Sequence, residues 1–444
     1  MPDTRSDHYL GDQSTARTLA ERARAVMPGG NTRLTVFQAP HPAYALKGQG
    51  AILESTDGDR WIDFVNNMTS LIHGHADPDV TRAAVRATEQ GASFSLPTES
   101  EVVLAEAIVA RVGSVERIRF ANSGAEGVTL AIKAAQAFTG RPALAKFEGS
   151  YHGTHDLVVP STATTPDSWT TEEPVAVPNM HQTPRYVLDN TVVLRYNRLD
   201  IAKRVLRREA DRIAAVIVDP MPARSGLIQG TPEFLAGLRR ICTELGIVLI
   251  FDEVISYRVA PGGMQSLVGV TPDLTTLGKI IGGGFPVGAV GGRTDIMALF
   301  DPTQGPRVSH GGTFNANPVT MAAGAAAVAK LTPARYTDLN QLGALVREGL
   351  SACFRESGVP VRVHGRGSLF CVRFGDGPAA EFRDLAEAPA DTGVREYMQT
   401  YLRSHGIMTH QNLFGCVSTA MGEAEVGTLL ERVRAGLTTL PGRP

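Results

Sequence analysis

Short apolar, β-branched runs alternate with longer segments of helical period through the middle of the chain. Residues 117–120 predict a strand and 123–138 a helix, and Ala143–Phe147 predicts the next strand. Residues 214–218 (AAVIV) predict another, followed by a helix over Pro232–Leu245 and then 247–251 (IVLIF), five apolar residues without a polar interruption. The run at 274–277 is weaker. A strand that is apolar at every position is covered on both faces, and strands alternating with helices of this length build a mostly parallel sheet between helix layers. Residues 44–63 break the pattern. Polar and apolar positions alternate there around Asp57-Gly58-Asp59, which predicts an antiparallel hairpin. Residues 160–184, rich in Thr, Pro and Ser, follow neither period and predict a long surface excursion of the kind that covers sites in compact enzymes. From about Leu331 amphipathic helices mix with strands at 361–363 and 368–374. The expected fold class is α/β, with a large domain over 70–325 and a smaller α+β domain made from 1–69 and 326–444.

Composition narrows the function classes. The 444 residues carry 43 Lys+Arg against 45 Asp+Glu, a net charge of −2, so no global basic field exists to hold nucleic acid. Hydrophobic residues make up 43%, enough to bury a sizeable core and to set disorder aside. No apolar run approaches the ~20 residues of a membrane helix, and the first 30 residues lack the apolar core of a secretory signal. The four cysteines (Cys242, Cys353, Cys371, Cys416) are scattered, with no CxxC pair, so a cytoplasmic, reduced setting is expected.

Glycine-rich 277–288 (LGKIIGGGFPVG) invites a nucleotide-binding reading, which fails on spacing. A P-loop would need glycine where Asp273 stands and Ser or Thr where Ile280 stands; a dinucleotide GxGxxG from Gly282 would need glycine at Val287. Three other features point elsewhere. Asp252 ends the buried run 247–251 and so lies at the carboxyl edge of the sheet, where ligands of open α/β sheets bind. Lys279, one of only six lysines, follows just past a strand and among glycines. Ser123-Gly124-Ala125 sits between a strand and a long helix, whose first N–H groups form a phosphate cradle. A carboxylate, a lysine and a phosphate cradle at strand ends are the parts that hold pyridoxal 5′-phosphate (PLP): the lysine forms the Schiff base, and the buried carboxylate keeps the pyridine nitrogen protonated. Tyr151, in 148–154 (EGSYHGT), is the candidate to stack on the ring.

The segments FANSGAE, KFEGSYHG, FDEV, TTLGKIIGGGFPVGA and GGTFNANP together resemble the class III aminotransferases of PLP fold type I over nearly the whole chain. They are most similar to the branch that holds glutamate-1-semialdehyde aminomutase and the β-amino-acid (β-phenylalanine-type) aminotransferases. MPGGNTR near the N-terminus and MALFDP before the last motif look most like the β-amino-acid enzymes. The resemblance implies a PLP fold type I architecture and an aminotransferase that works in two half-reactions. Lys279 would be the Schiff-base lysine and the base that moves a proton between substrate and cofactor. Asp252 would pair with the pyridine nitrogen, Tyr151 would stack on the ring and Val254 would pack on its other face. Ser123, Gly124 and Ala125 would bind the phosphate, with Thr313 reaching it from a neighbouring subunit, so a homodimer is implied. Arg33 would take a substrate carboxylate, with β-amino acids as the preferred donors. The chain departs from the family in having Asp219-Pro220 where Glu-Pro is usual. It also has no arginine in 409–414 (THQNLF), where the β-phenylalanine enzymes place one that helps to take 2-oxoglutarate.

Plainer roles exist for each residue: a surface lysine, a helix-capping Asp or Ser, a core tyrosine, a solvated arginine. The conjunction of the motifs favours the chemical reading over these. The pairs His73/His75 and His152/His155 have metal-like spacing but no accompanying Cys or carboxylate cluster, so no metal is expected. Two other functions share the cofactor: an aminomutase that shifts an amino group within one molecule, and a PLP-binding sensor, which no basic or helix-turn-helix segment supports here.

Overall fold

The computed structural model describes residues 7–169, 171–305, 307–375, 377, 379–387 and 392–441. Its first strands are β1 (Ala45–Gln49), β2 (Ile52–Ser55) and β3 (Arg60–Asp63), joined antiparallel by two tight turns. Residues 44–63 thus make three strands where the alternation predicted one hairpin, because Gly50, at φ 56°, adds a turn of its own.

Seven strands build the central sheet: β4 (Arg117–Ala121), β5 (Ala143–Phe147), β6 (Thr191–Leu194), β7 (Ile213–Val218), β8 (Val248–Asp252), β9 (Leu274–Gly278) and β10 (Gly288–Gly292). Their order is β4-β10-β9-β8-β7-β5-β6, parallel except for β10, which runs antiparallel to both neighbours. Period-two alternation sends successive side chains to opposite faces. Ala145, Phe147, Val216, Val218, Leu249 and Phe251 therefore join one core cluster, while Leu144, Ala215, Ile217, Val248 and Ile250 join another. Helices cover both: Pro232–Leu245 contributes Phe234, Leu235 and Leu238 to the first, and Gly124–Thr139 contributes Val128, Ala131 and Ile132 to the second. Each Val, Leu, Ile or Phe among them that is removed from water contributes about 1.5–3 kcal/mol.

Four short strands follow: β11 (Val361–His364), β12 (Leu369–Phe374), β13 (Ile407–Met408) and β14 (Gly415–Cys416). β13 pairs parallel with β3, so a piece from each half of the chain completes one sheet, and β12 pairs with β11 and β14. The expected boundary at 325/326 falls inside the helix Pro318–Lys330. The 160–184 excursion is not wholly superficial. Ser161, Thr162 and Thr164 are buried, and the Trp169 indole N–H donates to Thr164 Oγ1 at 3.0 Å. Among the described residues no helix is long and apolar enough to cross a membrane.

Candidate active site

The carboxyl ends of β8 and β9 set the site. Their register places Asp252 opposite Thr276, with Lys279 just beyond the end of β9. Asp252 is 5% exposed and accepts three hydrogen bonds: from Val254 N–H (3.2 Å) and Thr276 Oγ1 (3.1 Å) on Oδ1, and from His152 Nδ1 on Oδ2 (2.7 Å). Among the described residues no lysine or arginine pairs with it. His152 is buried too, and its Nε2 has no partner among the described residues. The sequence singled out His152 only for its spacing from His155; its place beside Asp252 follows from the loop that carries Tyr151.

Lys279 adopts a left-handed backbone, φ 52°, and its Nζ donates to the Met68 carbonyl at 2.7 Å. Burial is the largest cause that brings the amine down from 10.5 to about 8; Cys416 and Asp252 oppose it and Arg258 adds to it. An amine held there is partly neutral near pH 8, as a nucleophile and a proton carrier must be.

Ser123 caps the helix Gly124–Thr139, its Oγ accepting from Glu126 N–H at 3.2 Å, while Glu126 reaches back to Asn122 N–H at 2.8 Å. The first-turn N–H groups of Gly124 and Ala125 have no intrahelical acceptor, and the helix dipole adds positive potential there. Two glycines bring this cradle to the rest of the site. A Cβ on Gly124 would lie 3.0 Å from the Val254 side chain, so only glycine leaves room between the cradle and Val254. A Cβ on Gly153, whose φ is 91°, would lie 2.6 Å from Ala125 Cβ, so the Tyr151 loop packs directly on the helix start. Tyr151 itself is 54% exposed.

Ser123, Gly124, Ala125, Val254, Asp252 and Lys279 therefore gather at one sheet edge, with Tyr151 on the loop beside them. Thr313 is exposed, on a segment anchored to its own chain where Asn122 Nδ2 donates to Asn315 Oδ1 at 2.8 Å. Arg33 is exposed, and its Nη1 donates to Asn67 Oδ1 at 2.8 Å, one residue from the Met68 carbonyl that receives Lys279. The departure at Asp219 is buried next to this group. Its Oδ1 accepts from Met221 N–H at 2.9 Å; burial first, then the nearby Asp252 charge, raise its pKa well above the usual carboxylate range.

The donor set fits PLP. A buried carboxylate with no lysine or arginine partner among the described residues suits a protonated pyridine nitrogen, and the Gly124 cradle leaves space for a phosphate against free N–H groups. The histidines with metal-like spacing have other partners: His73 lies on Thr419 and the Ala327 carbonyl, His75 on Asp63, and His155 Nδ1 accepts from Leu157 N–H. Among the described residues no cluster of three His, Cys, Asp or Glu side chains is placed to hold a metal ion.

Residues 36–409 match the family model for class III aminotransferases. A glutamate-1-semialdehyde 2,1-aminomutase of Desulfatibacillum aliphaticivorans is 36% identical over 96% of this chain and 99% of its own. A beta-phenylalanine transaminase of Variovorax paradoxus is 38% identical over 90% of this chain and 87% of its own. The crystal structure of an omega-transaminase from Sphaerobacter thermophilus superposes with a TM-score of 0.94 at 49% identity, covering 98% of this chain and 99% of that one.

Proposed function

The chain belongs to the class III aminotransferases, PLP-dependent enzymes of fold type I, and from that premise we propose that it takes its amino group from a carboxylate-bearing β-amino acid and passes it to a keto acid or aldehyde. One observation carries the donor class: Arg33 is tied through Asn67 to the same short segment whose Met68 carbonyl receives Lys279. A guanidinium fixed there presents a bidentate partner to a carboxylate whose amino group faces Lys279. That a relative of 38% identity is named for β-phenylalanine supports the same class.

The residues divide the work as follows. PLP, when bound, supplies the electron sink that loosens a C–H bond next to the amino group. Lys279 holds the cofactor and, as a free amine, takes and returns the substrate proton. Asp252, which accepts three hydrogen bonds, would face the pyridine nitrogen, and His152 fixes the orientation of the carboxylate. Gly124 and Ala125 N–H groups and Ser123 receive the phosphate, Val254 and Tyr151 bracket the ring, and Thr313 joins the phosphate site of a second copy in a homodimer. In the same proposal residues 70–325, completed by the helix that ends at Lys330, form the PLP-binding unit, and 1–69 with the remainder form the smaller domain.

The test is donor-induced loss of the visible absorbance of bound PLP, measured without an acceptor for matched β- and α-amino acids. Wild type should respond to β-amino acids first. Arg33→Gln should raise KM for them about 10–100-fold with little change in kcat, the signature of lost ground-state binding. A variant that treats both donor classes as wild type does would sink the role of Arg33, and retention of turnover by Lys279→Ala would sink that of Lys279. The aminomutase reading has its own support in the 36% identical relative and in the lack of arginine across 409–414. Turnover of an amino aldehyde with no keto co-substrate would select it.

A further inference from the structure

Arg258 is 1% exposed, and no carboxylate among the described residues is paired with it. Its guanidinium instead spans three separate segments. Nε donates to Ser368 Oγ at 2.9 Å and Nη2 to the Val417 carbonyl at 2.7 Å, while Nη1 donates to the Thr69 carbonyl at 2.7 Å and lies 3.1 Å from Cys416 Sγ. Burying a cation against neutral acceptors alone is costly, and a packed apolar side chain would join the same segments at less expense in stability.

The segment at Thr69 is strained as well. Asn66, Asn67, Met68 and Thr69 all have positive φ, at 47°, 47°, 53° and 71°, a single left-handed turn without a glycine. Side chains with a Cβ disfavour that region, and β-branched Thr69 most of all. Such strain persists where the surroundings over-determine it. Here Asp63 Oδ1 accepts from the N–H groups of Val65 and Asn66, Asn66 Nδ2 donates to the Cys416 carbonyl, and Arg258 holds Thr69. The turn delivers two contacts: the Met68 carbonyl on Lys279 Nζ and the Asn67 side chain on Arg33.

We infer that Arg258 is a positioning residue: it clamps the left-handed turn Asn66–Thr69 so that the Met68 carbonyl receives the Lys279 amine whenever that amine is released from the cofactor, and so that Asn67 holds Arg33 at a fixed distance from it. The inference rests on the roles proposed above for Lys279 and Arg33. An amine freed in mid-reaction is a flexible four-carbon arm, and an acceptor 2.7 Å away returns it to one place for the proton transfer. The charged or titratable groups acting on Lys279 are Cys416, Asp252 and Arg258, of which only Arg258 favours the neutral amine.

The experiment compares Arg258→Met, Arg258→Lys and Met68→Gly with wild type. It records kcat and KM for the best donor, thermal melting, and the pH dependence with which a small acylating reagent modifies Lys279 in cofactor-free protein. Arg258→Met should lower kcat about tenfold or more and raise KM as well, though by less than Arg33→Gln does, and should move the acylation midpoint up from near 8, because a cation that acts against the charged amine has gone. Arg258→Lys keeps the charge but its ammonium lacks the planar fork, so kcat should fall while the midpoint stays. Met68→Gly suits the left-handed backbone, so the fold should tolerate it while a looser turn lowers kcat. Wild-type kcat and acylation profile in Arg258→Met would overturn the inference, as would losses that follow melting alone together with unchanged kcat in Met68→Gly. Should the Arg258 variants not fold, Met68→Gly decides: a lowered kcat sustains the inference and an unchanged one ends it. A wild-type protein with no visible PLP band fails at the level of the proposed function, and so is told apart from a fault in the clamp.

Discussion

At the scale of single residues, two buried carboxylates stand at adjacent strand ends in different surroundings. Asp252 accepts three hydrogen bonds, whereas Asp219 accepts one, from Met221 N–H, and has burial and the nearby Asp252 acting against its ionisation. Burial therefore holds Asp219 toward its protonated form. A carboxyl whose folded-state pKa is raised contributes stability that is fully present below its unfolded value, 3.8, and is lost as pH climbs through the folded one. Asp219→Asn removes that loss. Its stability in urea, measured against wild type, should gain progressively from about pH 4 upward, while kcat near neutrality stays within about threefold. A variant less stable than wild type at pH 8 would show Asp219 to be an anion that the fold uses. Residue identity made some of this legible in advance. Asp252 and Lys279 stood out as chemically distinctive residues ending apolar runs, and Ser123-Gly124 as a cap. The partners that tune them did not: His152 reaches Asp252 across a hundred positions of sequence, Arg258 looks like any arginine, and the acceptor for Lys279 is a backbone carbonyl that no side-chain pattern encodes.

At the scale of elements, legibility followed side-chain periodicity. The apolar runs at β5, β7 and β8 were placed to within a residue or so, because burial on both faces leaves no polar interruption. β10 was not, since Gly288-Ala-Val-Gly-Gly292 offers little side chain to read; its glycines are there because a Cβ on Gly288 would lie 1.8 Å from the Ser123 carbonyl oxygen. The loop between β5 and β6 was equally opaque. Its order comes from Lys146, fully buried on β5, whose ammonium donates to the carbonyls of Ser150, Val158 and Pro160 and to Thr162 Oγ1 at 2.6–3.0 Å. One side chain thus staples both ends of the stretch that carries Tyr151 and His152. Lys146→Met would leave these acceptors buried and unpaired, at a cost on the order of 3 kcal/mol. The expected result is a lower denaturation midpoint together with faster proteolysis within 150–184. Unchanged cleavage in that stretch would show that the loop is held by its other contacts, such as Arg383 on Glu148.

At the scale of the whole molecule, several large apolar side chains are exposed to water. Val85, Phe94, Leu96, Val102, Val103, Phe285 and Phe314 are each exposed between 36% and 76%. Val85 and Phe285 line one cavity of about 520 Å³ with Leu71 and Val319, between the helix Pro78–Gln90 and the glycines after Lys279. In the homodimer proposed above a second copy would cover such side chains, and it would also bring Thr313, exposed beside the apolar Phe314, to a neighbour's phosphate cradle. The chain should sediment at twice 47.3 kDa. Leu96, 76% exposed, makes no buried core contact of its own, so on a monomer Leu96→Glu would be nearly neutral. At an isologous interface the charge enters twice, once from each copy, and is desolvated both times. Sedimentation velocity should then show monomer at micromolar concentration. Retained PLP, counted by absorbance on the same sample, should fall with the dimer fraction, because each phosphate site would lose its donated threonine. A variant that stays dimeric would move the interface elsewhere. One that becomes monomeric yet keeps its full complement of PLP would leave the dimer standing and remove Thr313 from the phosphate site.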